Sequence, residues 1–180
     1  MPRQDRPLEG WTIYPARSLS HVPKRMAKKF DSDFERLKRA LRKLGAKIYD
    51  FAGIKPAASA ERTCDYDLMC VECADLVLCD HRLQGSGIGV EIAWKCALKG
   101  HVIVGAPKHR YVSKMICGFK VRNPNFEFVR YKDILDLVPI VLAHFAGRQR
   151  PGPKAPPLEQ FPDPTTQQSL FRQKKIPVAT

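Results

Sequence analysis

Five short apolar stretches constrain this chain more than any other feature. WTIYPA (11–16), AKIYDF (46–51), DLVLCD (75–80), HVIVGA (101–106) and FEFVRY (126–131) are strand-sized, rich in branched and aromatic residues, and separated by segments able to form helices. Strands that alternate with helices pair in parallel through right-handed crossovers. The pattern therefore predicts an α/β fold, a doubly wound (Rossmann-like or flavodoxin-like) parallel sheet with helices on both faces. Such sheets bind ligands at the carboxyl ends of their strands, which is where YPARS, Asp80 and GSGIG fall.

The helical segments are legible from their apolar spacing. Phe30, Phe34, Leu37, Leu41 and Leu44 recur at intervals of four and three, with Gly45 as the stop. DYDLMCVECA (65–74), a stretch from about Val90 to Lys99, and KDILDLVPIVLAHFAG (132–147) read as further helices, while the segment around YVSKMICGF (111–119) stays unassigned. The chain divides into an N-terminal extension (1–10), a single domain (11–147) and a Pro/Gln-rich basic tail (148–180) that lacks an apolar face.

Charge narrows the partners. The formal net charge is +13, which favours a polyanion without naming it. Lys28, Lys29, Arg36, Lys38, Arg39 and Lys43 form the polar face of the first helix, as a solvated basic surface or as a track for a phosphate backbone. No apolar run reaches the roughly 18 residues of a membrane span. The first ten residues, MPRQDRPLEG, carry no secretory pattern, so a cytoplasmic protein without membrane association is expected. The six cysteines lie in or beside apolar segments, which predicts reduced and mostly buried thiols. The Cys70–Cys73 pair lacks a second such pair, so neither a structural zinc site nor any other metal or cofactor is expected. Trp94 reads as core, and His101 as structural.

The chemistry centres on Glu91, an acid between GSGIG and the apolar IAWKCAL. A glycine-rich turn opening a helix offers backbone N–H groups to a phosphate or carboxylate. Glu91 in the first helical turn would be kept ionised by the positive helix end, as a nucleophile requires. Glycosidic chemistry then needs a second acid for the leaving group. Of Asp65, Asp67 and Asp75, Asp67 is the best placed, at the start of a helix.

The run DLMCVECADLVLCDHRLQGSGIGVEIAWKCALKGHVIV resembles the core of the nucleoside 2-deoxyribosyltransferase superfamily, and within it the 2'-deoxynucleoside 5'-phosphate N-hydrolases. Asp67, Ala74-Asp75, Gly87, Gly89, Glu91 and ALKG fall in register with the family pattern. Tyr14 and Ser18 match the end of its first strand and the following loop, and RYVSKMICG is similar to its Ser-x-Met-Ile element. The resemblance spans roughly Trp11 to Phe145. It implies that Glu91 attacks the anomeric carbon, that Asp67 protonates or hydrogen-bonds the departing base, and that Tyr14 orients Glu91. It further implies a homodimer in which Ser18, the loop from Gly85 through Ser86 and Gly87 to Gly89, and Ser113 from the neighbouring subunit hold the 5'-phosphate. Arg17 stands where the family's loop carries glycine and is a second candidate phosphate ligand.

Three activities fit these residues: hydrolysis of (2'-deoxy)nucleoside 5'-monophosphates; base removal or base exchange on DNA; and a non-catalytic nucleotide sensor or adaptor. QQSLF in the tail resembles the peptides by which bacterial replication proteins bind the sliding clamp, with Gln167, Leu170 and Phe171 as its contacts. Such a tether would suit an enzyme working beside DNA.

Overall fold

A computed structural model of the protein describes residues 6–18, 22–49 and 60–149. Nearly all of the basic tail, including the peptide 167–171, lies outside these residues. The described chain runs β1 (Thr12–Arg17), α1 (Lys24–Lys43), β2 (Lys47–Ile48), α2 (Ala60–Cys73), β3 (Leu76–Asp80), α3 (Ser86–Ala97), β4 (His101–Pro107), α4 (Lys114–Arg122), β5 (Phe126–Tyr131) and α5 (Leu137–Phe145). The strands pair in parallel in the order β2-β1-β3-β4-β5. The order reverses between β1 and β3, and it is beyond the carboxyl ends at such a switch point that a crevice opens.

Alternation along each strand divides the core into two layers. Ile13, Leu76, Leu78 and Ile103 pack on Leu37 and Leu41 of α1 and on Leu137 and Val141 of α5. Tyr14, Ala16, Val77, Cys79, Val102 and Val104 face the other way, toward Cys70 of α2, Ile92 of α3 and Ile116 of α4. The α1 stripe read from sequence is the packed stripe: Phe30, Phe34, Leu37 and Leu41 are buried, Leu44 packs against the same layer, and Gly45 ends the segment at φ +98°. Only glycine adopts that conformation without strain.

Several local expectations change. Helix α3 opens at Ser86, not near Val90, so most of GSGIG is helix and Gly85 alone stands before it as the N-cap. Helix α2 opens by Ala60, which puts Asp67 in mid-helix. The segment around YVSKMICGF contains α4, and the last apolar segment splits into a 3-10 turn at Ile134–Asp136, closed by a reciprocal Asp133/Asp136 capping box, followed by α5. Leu8, in the stretch read as an extension, is fully buried, and its N–H donates to Leu44 O at 2.9 Å.

Trp94 is not core: it is 41% exposed, and its indole N–H donates to Glu72 at 2.9 Å. Lys38 leaves the basic face, because it is buried against the Phe34 ring and paired with Glu35. The thiols divide evenly between the interior and more open positions. Cys70, Cys79 and Cys96 are buried, Cys73 is half-buried, and Cys64 and Cys117 are exposed. No helix among the described residues is long and apolar enough to cross a membrane.

Candidate active site

Three elements bring three distant side chains together. Tyr14 points from β1 toward the α2/α3 layer, where its hydroxyl lies 3.3 Å from Asp67 Oδ1 and 3.2 Å from Glu91 Oε1. The phenol has one proton and donates it to one carboxylate at a time. The other contact is a hydrogen bond only if that acid carries a proton and donates to the phenol oxygen. This geometry suits a pair of acids that share a proton. Glu91 Oε2 is buried and has no hydrogen-bond partner among the described residues, leaving that oxygen uncommitted.

Burial sets the protonation. It pushes Glu91 up to about 7, with the Asp67 charge adding to the rise and the Tyr14 hydrogen bond opposing it. Burial likewise pushes Asp67 up to about 6, against the same Tyr14 bond. Tyr14 is held far above its ordinary value by burial and by the two acids, so it remains a neutral donor. The expectation that a helix end keeps Glu91 ionised is thereby corrected. Glu91 is the sixth residue of α3, beyond the first turn where the macrodipole acts, and desolvation dominates.

The phosphate candidates separate into groups. Ser18 is buried at the end of β1, with its hydroxyl 3.4 Å from Gln84 O. A methyl group on Gly85 would lie 2.9 Å from Ser18 Oγ, so this glycine permits the close approach of the two loops. Ser86 and Gly87 are exposed at the start of α3, where the first backbone N–H groups have no intrahelical acceptor. Side chains at Gly87 or Gly89 would meet nothing within 4 Å. Arg17 lies on the other face of the sheet, ion-paired with Asp31 and stacked over Phe30 and Phe34 of α1. Ser113 caps α4 by accepting from Met115 N at 3.2 Å and makes no hydrogen bond to Tyr14, Asp67 or Glu91 among the described residues.

Two structural roles were not read from the sequence. Lys95, one turn beyond Glu91, is 5% exposed, and its ammonium donates to Val71 O at 2.9 Å, Glu72 O at 3.2 Å and Ala74 O at 2.6 Å. It closes the C-terminal end of α2, where orphan carbonyls and the negative end of the helix dipole attract a cation. A lysine in an apolar helix was the available signal. Asp75 is likewise structural: it accepts from Thr12 N at 2.8 Å and Thr12 Oγ1 at 2.7 Å, tying the start of β1 to β3. Among the described residues, no cluster of three or more His, Cys, Asp or Glu side chains is arranged to hold a metal ion.

The fold is shared with several solved structures. CMP N-glycosidase BcmB of Clostridium botulinum superposes with a TM-score of 0.58 at 17% identity, covering 72% of this chain and 96% of that one. A 2-deoxyribosyltransferase of Bacillus psychrosaccharolyticus gives 0.52 at 17% identity, over 70% and 89%. A conserved protein of Enterococcus faecalis V583 gives 0.55 at 15% identity, over 77% and 99%. The α/β architecture expected from the resemblance is thus the one observed. No family model and no curated protein matches the chain by sequence.

Proposed function

We propose that this protein is an N-glycosidase that hydrolyses the base–sugar bond of (2'-deoxy)nucleoside 5'-monophosphates through a covalent intermediate on Glu91. The observation that carries the reading is the buried Tyr14 hydroxyl between Asp67 and Glu91 at the sheet's switch point. Two acids against one hydroxyl whose pKa values are raised to near neutrality match an acid and a nucleophile working as a pair. The fold shared with an N-glycosidase and a deoxyribosyltransferase supports the same class of chemistry.

In the proposed reaction a Glu91 carboxylate oxygen attacks the anomeric carbon. The carbon–nitrogen bond breaks, the base leaves with the proton of Asp67, and a glycosyl ester forms on Glu91. Positive charge developing on the sugar favours the ionised form of Glu91 and hence places the shared proton on Asp67. Water then attacks the anomeric carbon and gives its proton to Asp67, releasing the sugar phosphate and regenerating both acids. Ser18, the Gly85 to Gly89 turn and a partner subunit's Ser113 are the proposed phosphate contacts.

A homodimer follows from the same reading. Val90, Trp94 and Leu98 form an exposed apolar stripe on α3 beside Glu91, and Met115 is exposed two residues beyond Ser113. A second copy over this surface would bring its Ser113 to the pocket. Base removal from DNA receives less support, since α1 and its basic face pack across the sheet from the acid pair. Transfer to another base differs from hydrolysis only in what resolves the ester, and clamp tethering by Gln167 to Phe171 rests on the sequence alone.

The test is release of free base from a panel of deoxy- and ribonucleoside monophosphates, nucleosides, and single- and double-stranded DNA. Release from monophosphates that is lost in Glu91→Gln supports the reading. Release only from DNA, or no release from any substrate, overturns it.

A further inference from the structure

A cavity with a charged rim lies on the opposite face of the sheet from Glu91. It has a volume of about 270 Å³ and sits where the start of α1 meets the carboxyl ends of β4 and β5. Its wall carries the formal cations Arg25, Lys29, Arg82, Arg110 and Lys132 against the carboxylates of Asp33 and Asp133, an excess of three positive charges.

The cations fall into two sets. Arg82 is committed to Asp80 and Asp33, each at 2.7 Å, and Lys29 to Asp33 at 3.1 Å. Arg25 and Arg110 have no side-chain hydrogen bond or ion pair among the described residues, and Lys132 has none either, although its charge lies near enough to Asp136 to favour that carboxylate. These three residues line one concavity, and their charges add to a positive field there. The first turn of α1 contains no acid to relieve it, and the positive end of that helix adds to it. An anion entering the concavity would meet this excess of positive charge.

One aromatic ring of the cavity is already covered. The Phe30 ring is covered by the guanidinium groups of Arg17 at 5.2 Å and Arg82 at 4.9 Å, and the Tyr131 hydroxyl donates to Asp80 at 2.6 Å. The Phe30 ring is thus not open to a stacking base, and His109 and Tyr131 are the other rings that line the cavity. The excess of positive charge favours an anion, and phosphate oxygens are the partners that guanidinium and ammonium groups bind best.

We propose that this cavity is a phosphate-binding site separate from the catalytic pocket, taking the phosphoryl groups of a nucleotide or of a polynucleotide backbone through Arg25, Arg110 and Lys132. The proposal does not depend on the glycosidase reading. Loss of base release in Glu91→Gln tests that reading and leaves this site untouched.

The experiment is calorimetric titration of the full chain with inorganic pyrophosphate at constant ionic strength, paired with binding of a labelled single-stranded oligonucleotide. Saturable pyrophosphate binding is expected, weakened about tenfold or more in Arg25→Ala/Arg110→Ala/Lys132→Ala, because the variant removes three of the cations that line the cavity. Base release by this triple variant should be unchanged. Should it fold poorly, Lys132→Ala and Arg110→Ala singly provide the comparison. Oligonucleotide binding lost in the variant would identify a polynucleotide as the source of the phosphates, and pyrophosphate binding alone would identify small anions. Absence of saturable binding to either probe, or equal binding by wild type and variant, overturns the proposal.

Discussion

Tyr14 and Glu91 are separated by 77 positions in the chain and meet at 3.2 Å, with the phenol oxygen also 3.3 Å from Asp67. Strand β1 presents the phenol between two helices that each supply one acid. A single hydroxyl thereby lies against both acids and opposes the rise that burial imposes on them.

This relationship gives the Tyr14→Phe variant a definite sign. The phenol hydrogen bond lowers the pKa of both acids, so its removal raises both. Wild-type kcat/KM should follow a bell whose limbs, with apparent pKa values of about 6 and about 7, belong to the pair as a unit. In Tyr14→Phe the whole bell should move to higher pH as well as fall in height. A profile that only falls would mean that Tyr14 positions substrate without tuning the acids.

Stability should depend on pH in the same region. Both acids have folded pKa values above their unfolded ones, so their contribution is fully present below about pH 4 and lost as the pH rises through about 6 and 7. Wild-type Tm should therefore fall across this window. Glu91→Gln removes one of the two groups and should flatten the fall, with a gain on the order of 2 kcal/mol at pH 8. Thermal melts of the two proteins from pH 4 to 8 provide the check.

Gly85→Ala should damage phosphate recognition specifically. The added methyl would meet Ser18 Oγ at 2.9 Å, while the φ of −153° is open to any residue, so the effect comes from contact and not from backbone strain. The loops must separate to admit it. KM for monophosphates should rise several-fold while activity on nucleosides changes little.

Lys95→Met should destabilise the protein by about 2–4 kcal/mol, because carbonyls at the end of α2 would be left buried without their donor. Chemical denaturation measures this directly. Lys95→Arg is not expected to rescue it, because Gly100 packs tightly against the lysine stem, as a methyl there would lie 2.4 Å from Cε.

Mixing subunits tests the shared site. On the proposed homodimeric reading, Glu91→Gln and Ser113→Ala proteins should each be impaired on monophosphates, whereas a mixed dimer would hold one site with both native residues. Recovery of activity on mixing supports Ser113 acting across the interface. Its absence, with exchange verified by mass, would place Ser113 within its own subunit's machinery.

The sequence by itself determined the sheet. Its strands are local apolar runs, and the α1 stripe from Phe30 to Leu44 repeats with the helical period, so both are written in neighbouring residues. It also singled out Tyr14, Asp67 and Glu91 through their resemblance to a family pattern. Only tertiary structure decided what those residues are. Helix α3 could begin at Ser86 because the glycines there face open space while Ile88 finds a buried place, an outcome that local propensity opposes. Glu91 consequently sits beyond the first turn, where burial outweighs the helix end. Arg17, adjacent to the site in sequence, crosses to the other face because side chains alternate along β1. Three cations far apart in the chain became one cavity because α1 and the ends of β4 and β5 meet there. Burial and charge convergence depend on residues distant in sequence, and those meet only after the chain has folded.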